Sequence, residues 1–171
     1  MKRSWLLLAS LSALVLALDQ WTKRWAETTL AGRAPVEVVG EVVRFTYTRN
    51  SGVAFGLGAG LPFPYAVFSI AAVIVILALF ARHRVHDPLR QVSLALILGG
   101  ALGNLVDRVT SGEVVDFILI GWRQWYWPVF NVADSAVTLG VVLFGLTWLR
   151  HGDLTHAEAQ EGPVPSVVPR D

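Results

Sequence analysis

Val92-Ser93-Leu94-Ala95-Leu96-Ile97-Leu98-Gly99-Gly100-Ala101-Leu102-Gly103-Asn104-Leu105-Val106-Asp107-Arg108 begins as a plain apolar run and ends in three polar residues. Its apolar part suits a helix buried in lipid or protein. Its glycines suit close helix–helix approach in a membrane. Glycine packing does not account for Asn104, Asp107 and Arg108, which at i, i+3 and i+4 share one helical face. An Asp–Arg pair closing a helix is the plain alternative for Asp107. The pattern recurs along the chain. Asp19, Asp116 and Asp134 also sit at or near the ends of apolar stretches. Ionisable groups at membrane depth cost about 2.5–3.5 kcal/mol even on lenient insertion scales. They persist where they face a protein interior or a watery cavity, which points to chemistry or transport.

Four apolar spans are predicted: 5–18 with an extension toward Trp25, 63–81, 92–106 and 132–149. The second and fourth match a hydrocarbon core of about 30 Å on their own. The first and third reach that length only with their polar ends, Asp19 to Lys23 and Asn104 to Arg108. The 171 residues suit one domain, and 54% hydrophobic with 16% charged residues set it apart from a typical soluble domain. The net charge of +1 carries no nucleic-acid signal. Lys2 and Arg3 before the first apolar run also suit a signal peptide, but no small-x-small cleavage site follows, so a retained helix is expected. An even number of spans places both termini on one side. Lys and Arg divide evenly between the sides, while Arg82, Arg84 and Arg90 cluster in one short loop beside Lys2 and Arg3 in topology, which favours cytoplasmic termini.

Two stretches outside the spans are substantial. Residues 26–62 contain a β-branched, partly alternating run, Val36 to Thr48, interrupted by Gly40, and a hairpin or small sheet is expected. Residues 107–130 carry Val114-Val115-Asp116-Phe117-Ile118 and then Trp122, Trp125, Tyr126 and Trp127, which suit a membrane interface. The tail from Gly152, with Pro163, Pro165 and Pro169, reads as disordered.

The chain has no Cys, which removes thiol nucleophiles, thiolate metal sites and disulfides. Its four His lie in one loop and the tail, away from the acids, against a Ser-His-Asp triad or a zinc motif. A carboxylate pair is the main hydrolytic machinery left. Two such groups a few ångströms apart cannot both ionise easily, so one keeps a proton. The neutral acid then polarises a carbonyl while the carboxylate activates water. Asn131 before the fourth span suits an N-cap with Asp134 at N3, and capping alone is a sufficient reading of Asp134. Asp116 can equally cap a turn. Asn50-Ser51-Gly52 reads as a turn, or as a holder of extended substrate backbone. A proton-coupled transporter or channel subunit, a membrane assembly factor, and a Ser–Lys pair of Ser51 or Ser135 with Lys23 stay open on this reading.

Five motifs occur in order: Asp19-Gln20-x-Thr22-Lys23, Asn50-x-Gly52-x-Ala54-Phe55, Gly103-Asn104-x-x-Asp107-Arg108, Val114-Val115-Asp116-Phe117 and Phe130-Asn131-x-Ala133-Asp134-Ser135. Together they closely resemble the lipoprotein signal peptidases (signal peptidase II), over roughly residues 5–150. The resemblance implies an α-helical membrane protein with four transmembrane helices and a small extracytoplasmic β-rich cradle. Residues 1–150 would form the protease domain, with 26–62 and 107–130 extracytoplasmic and 151–171 a disordered cytoplasmic tail. It implies an aspartyl endopeptidase of the bacterial inner membrane. The enzyme would cut the signal peptide from prolipoproteins just before a diacylglyceryl-modified Cys, with its active site toward the extracytoplasmic side. Asp116 and Asp134 take the positions of the catalytic pair. Asn50, Asn104, Arg108 and Asn131 take those of polar residues around pair and substrate, with Gly52 as further site support. Asp19 and Lys23 are expected to be structural support, and Asp107 to orient Arg108 while standing as the reserve member of the pair. The implied partners are the prolipoprotein and membrane lipid, for a monomer without metal, organic cofactor or nucleic acid.

Overall fold

The computed structural model describes residues 2–52, 65–82 and 87–160. Among these residues four helices and four strands follow in the order α1 (Lys2–Leu30), β1 (Val36–Val39), β2 (Val43–Asn50), α2 (Ala66–Arg82), α3 (Pro88–Thr110), β3 (Val114–Trp122), β4 (Trp125–Tyr126) and α4 (Val132–Gln160). α1 and α3 are long and apolar enough to cross a membrane, while α2 and α4 carry shorter apolar stretches, Ala66–Ala81 and Val132–Thr147. α1 and α3 reach that length with their polar ends included, as expected, while the apolar stretches of α2 and α4 are shorter than the predicted spans. The polar ends of the first and third spans do not stop their helices, because Asp19, Lys23 and Asp107 are buried against one another rather than turned to water.

The helix limits follow local chemistry. α1 contains no Gly or Pro and stops before Gly32, whose φ of +73° favours glycine. α3 starts at Pro88, with Asp87 accepting from the Leu89 N–H at 3.1 Å. α4 opens on a reciprocal capping box: Asp134 N–H donates to Asn131 Oδ1 (2.9 Å), and Asn131 N–H to Asp134 Oδ2 (3.3 Å). α4 then continues to Gln160, so residues 152–160 are helical where disorder was expected. Their Leu, Ala, Glu and Gln favour helix, and no proline intervenes before Pro163, which lies outside the described residues.

α3 is the central helix, packed against α1, α2 and α4. Leu8, Ile76, Phe80, Leu94, Ala95 and Leu98 form the core where α1, α2 and α3 meet. Small residues set the spacing. A Cβ on Gly100 would strike the Ala133 carbonyl of α4, and one on Gly103 would lie 2.5 Å from Asp19 Oδ2 of α1. Close approach therefore requires glycine at both positions.

The strands form one antiparallel sheet in the order β1-β2-β3-β4. The β1–β2 hairpin falls where the Val36–Thr48 pattern placed it, with Gly40 in the turn at φ +48°. The other half of the sheet was not anticipated. β3 runs through the very segment that carries Asp116, and pairs Thr48 with Asp116 and Asn50 with Val114. Phe45, Tyr47, Phe117 and Ile118 close the sheet onto Ala26 and Leu30 of α1, and Trp25 meets Phe45 edge-on at 5.4 Å. The chain before α4 returns beside β3: Phe117 and Ile118 N–H both donate to the Phe130 carbonyl, at 3.0 and 2.8 Å. That pairing brings Asn131 and Asp134 next to Asp116.

Candidate active site

Asp116 lies on β3 and is only 2% exposed. Each of its oxygens accepts an amide: Oδ1 from Asn131 Nδ2 at 2.7 Å and Oδ2 from Asn50 Nδ2 at 3.2 Å. Asn50 reaches it because Thr48, two residues back on β2, is the cross-strand partner of Asp116. Asp134, in the first turn of α4, accepts Asn104 Nδ2 on Oδ1 at 2.8 Å and the Asn131 N–H on Oδ2. Asn131 is fully buried and serves both acids. Its Oδ1 caps α4 while its Nδ2 holds Asp116 and also approaches Asn104 Oδ1 and the Val115 carbonyl at 3.2 Å each.

Asp116 and Asp134 face one cavity of about 860 Å³, together with Asn50, Asn104 and Arg108. Asn131 sits behind the carboxylates rather than in the wall. The rest of the lining is mostly apolar. It includes Phe68 and Ala72 of α2, Leu139 and Val142 of α4, and Trp127 to Phe130. Phe68, Leu139 and Val142 are all more than half exposed, so the cavity opens sideways between α2 and α4. Burial first, and the neighbouring Asp134 second, raise the Asp116 pKa to about 6. Asn104 lies sixteen positions beyond Pro88, about 24 Å along the helix axis, so the site is at the opposite end of α3 from Pro88 and Arg90.

Arg108 donates to the Gly52 carbonyl at 3.1 Å and to Ser69 Oγ and the Asn104 carbonyl at 3.3 Å each. Gly52 also donates its N–H to Asn50 Oδ1 at 2.9 Å, so the turn and the site use the same residues.

Asp107 was expected to orient Arg108, but among the described residues its bonds go to other groups. It accepts from Lys23 Nζ at 2.9 Å, Gln20 Nε2 at 2.9 Å and the Val115 N–H at 3.2 Å. Although Asn104, Asp107 and Arg108 share a broad helical face, Asp107 turns toward α1 while the other two line the large cavity. It lines instead a smaller cavity of about 410 Å³ with Gln20, Lys23 and Arg49. Lys23, 3% exposed, bonds Asp19 at 2.8 Å and Asn104 Oδ1 at 3.0 Å as well. Asp19 also accepts the Ala133 N–H at 2.8 Å, tying α1 to the start of α4. Ser135 Oγ donates to the Asn131 carbonyl and Lys23 is fully engaged elsewhere, so no Ser135–Lys23 pair forms. Gln20, though part of the first motif, was given no role from sequence, and Ser69 was not singled out. Gln20 was visible beside Asp19 and Lys23; Ser69 sits in an unremarkable apolar span.

A signal peptidase II family model matches residues 11–150. A lipoprotein signal peptidase of Syntrophotalea carbinolica is 40% identical over 149 residues, 85% of this chain and 92% of the relative. That of Geobacter sulfurreducens is 42% identical over 139 residues, 79% of this chain and 86% of the relative. A solved bacterial membrane enzyme superposes with a TM-score of 0.75 at 30% identity, over 99% of this chain and 96% of that one. A second superposes with a TM-score of 0.71 at 34% identity, over 87% and 94%. With the family model spanning most of the helical bundle and all of the sheet, the chain belongs to the signal peptidase II family, the peptidases of lipoprotein processing.

Proposed function

We propose that the protein is an aspartyl endopeptidase of the bacterial inner membrane that removes signal peptides from diacylglyceryl-modified prolipoproteins, cutting just before the lipidated Cys. The observation that carries this reading is the shared cavity. Two amide-held carboxylates face one space whose other walls are apolar and open to the side. A lipid chain enters through the α2–α4 gap while an extended peptide lies under the sheet near Asn50.

Asp116 holds the proton of the pair and donates it toward the scissile carbonyl oxygen. Asp134 is the carboxylate that takes a proton from the attacking water. The water oxygen adds to the carbonyl carbon and gives a neutral tetrahedral diol. Asp134 then returns its proton to the leaving nitrogen as the C–N bond breaks, and Asp116 recovers its own from the diol. Asn104 and Asn131 keep the two carboxylates in place, and Arg108 anchors the wall between Gly52 and Ser69.

All four helices cross the bilayer in this reading. Leu14 on α1, Ile74 and Val75 on α2, and Val141 and Val142 on α4 are each more than half exposed. These are lipid-facing surfaces around a central α3. The termini are cytoplasmic, the sheet and site extracytoplasmic, residues 1–150 form the protease domain, and the working form is a monomer.

Purified protein should cleave a diacylglyceryl-modified prolipoprotein equally with and without a chelator. Asp116→Asn and Asp134→Asn should each fold in detergent and show no cleavage. Near-normal turnover by either folded variant would sink the dyad. An active Asp116→Asn beside a dead Asp107→Asn would move it to Asp107.

A further inference from the structure

An ammonium group has three protons, and Lys23 has three acceptors: Asp19 Oδ2 at 2.8 Å, Asp107 Oδ2 at 2.9 Å and Asn104 Oδ1 at 3.0 Å. With the side chain 4% exposed, each proton is assigned and none is left for water. Two of these contacts join α1 to itself and to α3. The third does something else. Lys23 can only donate, so the atom of Asn104 that faces it must be the amide oxygen. The amide nitrogen is then turned the other way, to Asp134 Oδ1 at 2.8 Å. A second donor, Asn131 Nδ2, approaches the same Asn104 oxygen at 3.2 Å; one of its two protons serves Asp116 at 2.7 Å, and the other is divided between this oxygen and the Val115 carbonyl, also at 3.2 Å.

We propose that Lys23 is a positioning residue for the cleavage reaction, acting through Asn104: its ammonium fixes which end of the Asn104 amide faces Asp134. A primary amide is nearly symmetric in shape. With the ammonium gone, the Asn104 oxygen keeps only the longer, shared Asn131 contact, and the amide can turn over and present its oxygen to a carboxylate. Asp134 would then meet a lone pair instead of an N–H, and its carboxylate would swing away from the water it must deprotonate. Asp19 and Asp107 serve this device by holding the ammonium in place. The charged groups facing this part of the site are Asp116 from β3, Arg108 and Asp107 from α3, and Asp19 and Lys23 from α1. The inference rests on the aspartyl reading above, and deepens it.

Lys23→Met alone leaves two buried carboxylates facing an apolar side chain, so the test uses an Asp107→Asn chain as reference. Four proteins are compared with diacylglyceryl-modified prolipoprotein: Asp107→Asn, and the same chain with Lys23→Met, with Asn104→Ala, and with both. Lys23→Met should lower kcat by about 10- to 100-fold through misplacement of the carboxylate. KM should stay within about twofold, because no substrate contact is removed. In the Asn104→Ala background Lys23→Met should have no further effect on kcat, since the group it acts on is gone. Unchanged kcat in the folded Lys23→Met protein overturns the proposal, as does a loss that multiplies with that of Asn104→Ala. Thermal unfolding in detergent reports folding. Should the Asp107→Asn pair not fold, the four proteins are rebuilt on Asp19→Asn, and failure of both sets makes Lys23 a fold residue and overturns the proposal too. Asp116→Asn and Asp134→Asn in the same assay separate the two readings. Activity in either sinks the aspartyl mechanism, whereas two dead variants with a multiplicative cycle sink only the role of Lys23.

Discussion

Asp116 and Asp107 lie nine positions apart, and spacing did not separate them as members of a pair. Their partners do. Asp107 is held by a cation and a backbone N–H, so its charge is already compensated. Asp116 has only neutral amide donors, is deeply buried and faces another carboxylate, which is why its pKa rises from the ordinary carboxylate range to about 6. The direction has a consequence for pH. Between the ordinary carboxylate pKa of about 3.9 and about 6 the folded protein keeps a proton that the unfolded chain has released. The Asp116 contribution to stability is therefore lost as pH rises through that window. If Asp116 is the acid, kcat/KM should decline above about pH 6, by about tenfold per unit at the steepest. The inflection belongs to the coupled pair. A kcat/KM profile level from pH 5 to 8 would contradict it. Asn131 gives a second prediction at this scale. Asn131→Ala removes the α4 cap, worth about 1 kcal/mol, and leaves a buried Asp116 oxygen without its donor, worth about 1–3 kcal/mol more. Its Tm should drop clearly and cleavage should fall with it, as read by thermal unfolding in detergent and a turnover assay.

At the scale of elements, the β1–β2 hairpin and the α4 cap were legible because each is set by neighbours in sequence. Alternating β-branched residues around Gly40 specify one, and Asn131 three places before Asp134 specifies the other. β3 and β4 were not legible. Val114 to Ile118 has no polar alternation, since the strand is buried by α1 on one side and by the Asn residues on the other. Helix contacts give a contrast that can be measured. Gly100→Ala drives a methyl into the Ala133 carbonyl and should cost about 1–3 kcal/mol. Gly145 on α4 has nothing within 4 Å of an added Cβ, so Gly145→Ala should be neutral or stabilise by about 0.5–1 kcal/mol. Equal Tm values for the two variants would contradict the close α3–α4 approach.

Across the whole molecule, the cavity joins a polar end, where the sheet meets the acids, to an apolar mouth between α2 and α4. The same geometry predicts dependence on the lipid. Each methylene removed from the substrate removes about 0.8 kcal/mol of burial. At limiting substrate an unlipidated precursor should therefore be cut far more slowly than the diacylglyceryl form. Equal rates for the two, followed by gel shift of the cleaved product, would count against recognition through that mouth.

The helices, the hairpin, the cap and the family were determined by the sequence itself. Hydrophobic runs, turn glycines and five ordered motifs are local signals that need no partner to be read. The strands around Asp116 and the different surroundings of Asp107 and Asp116 were decided only by the tertiary structure. The physical reason is the same in each case. A buried polar group takes its role from what satisfies it, and for Asp107 and Asp116 the chief satisfying groups, Lys23 and Gln20 or Asn50 and Asn131, come from distant parts of the chain.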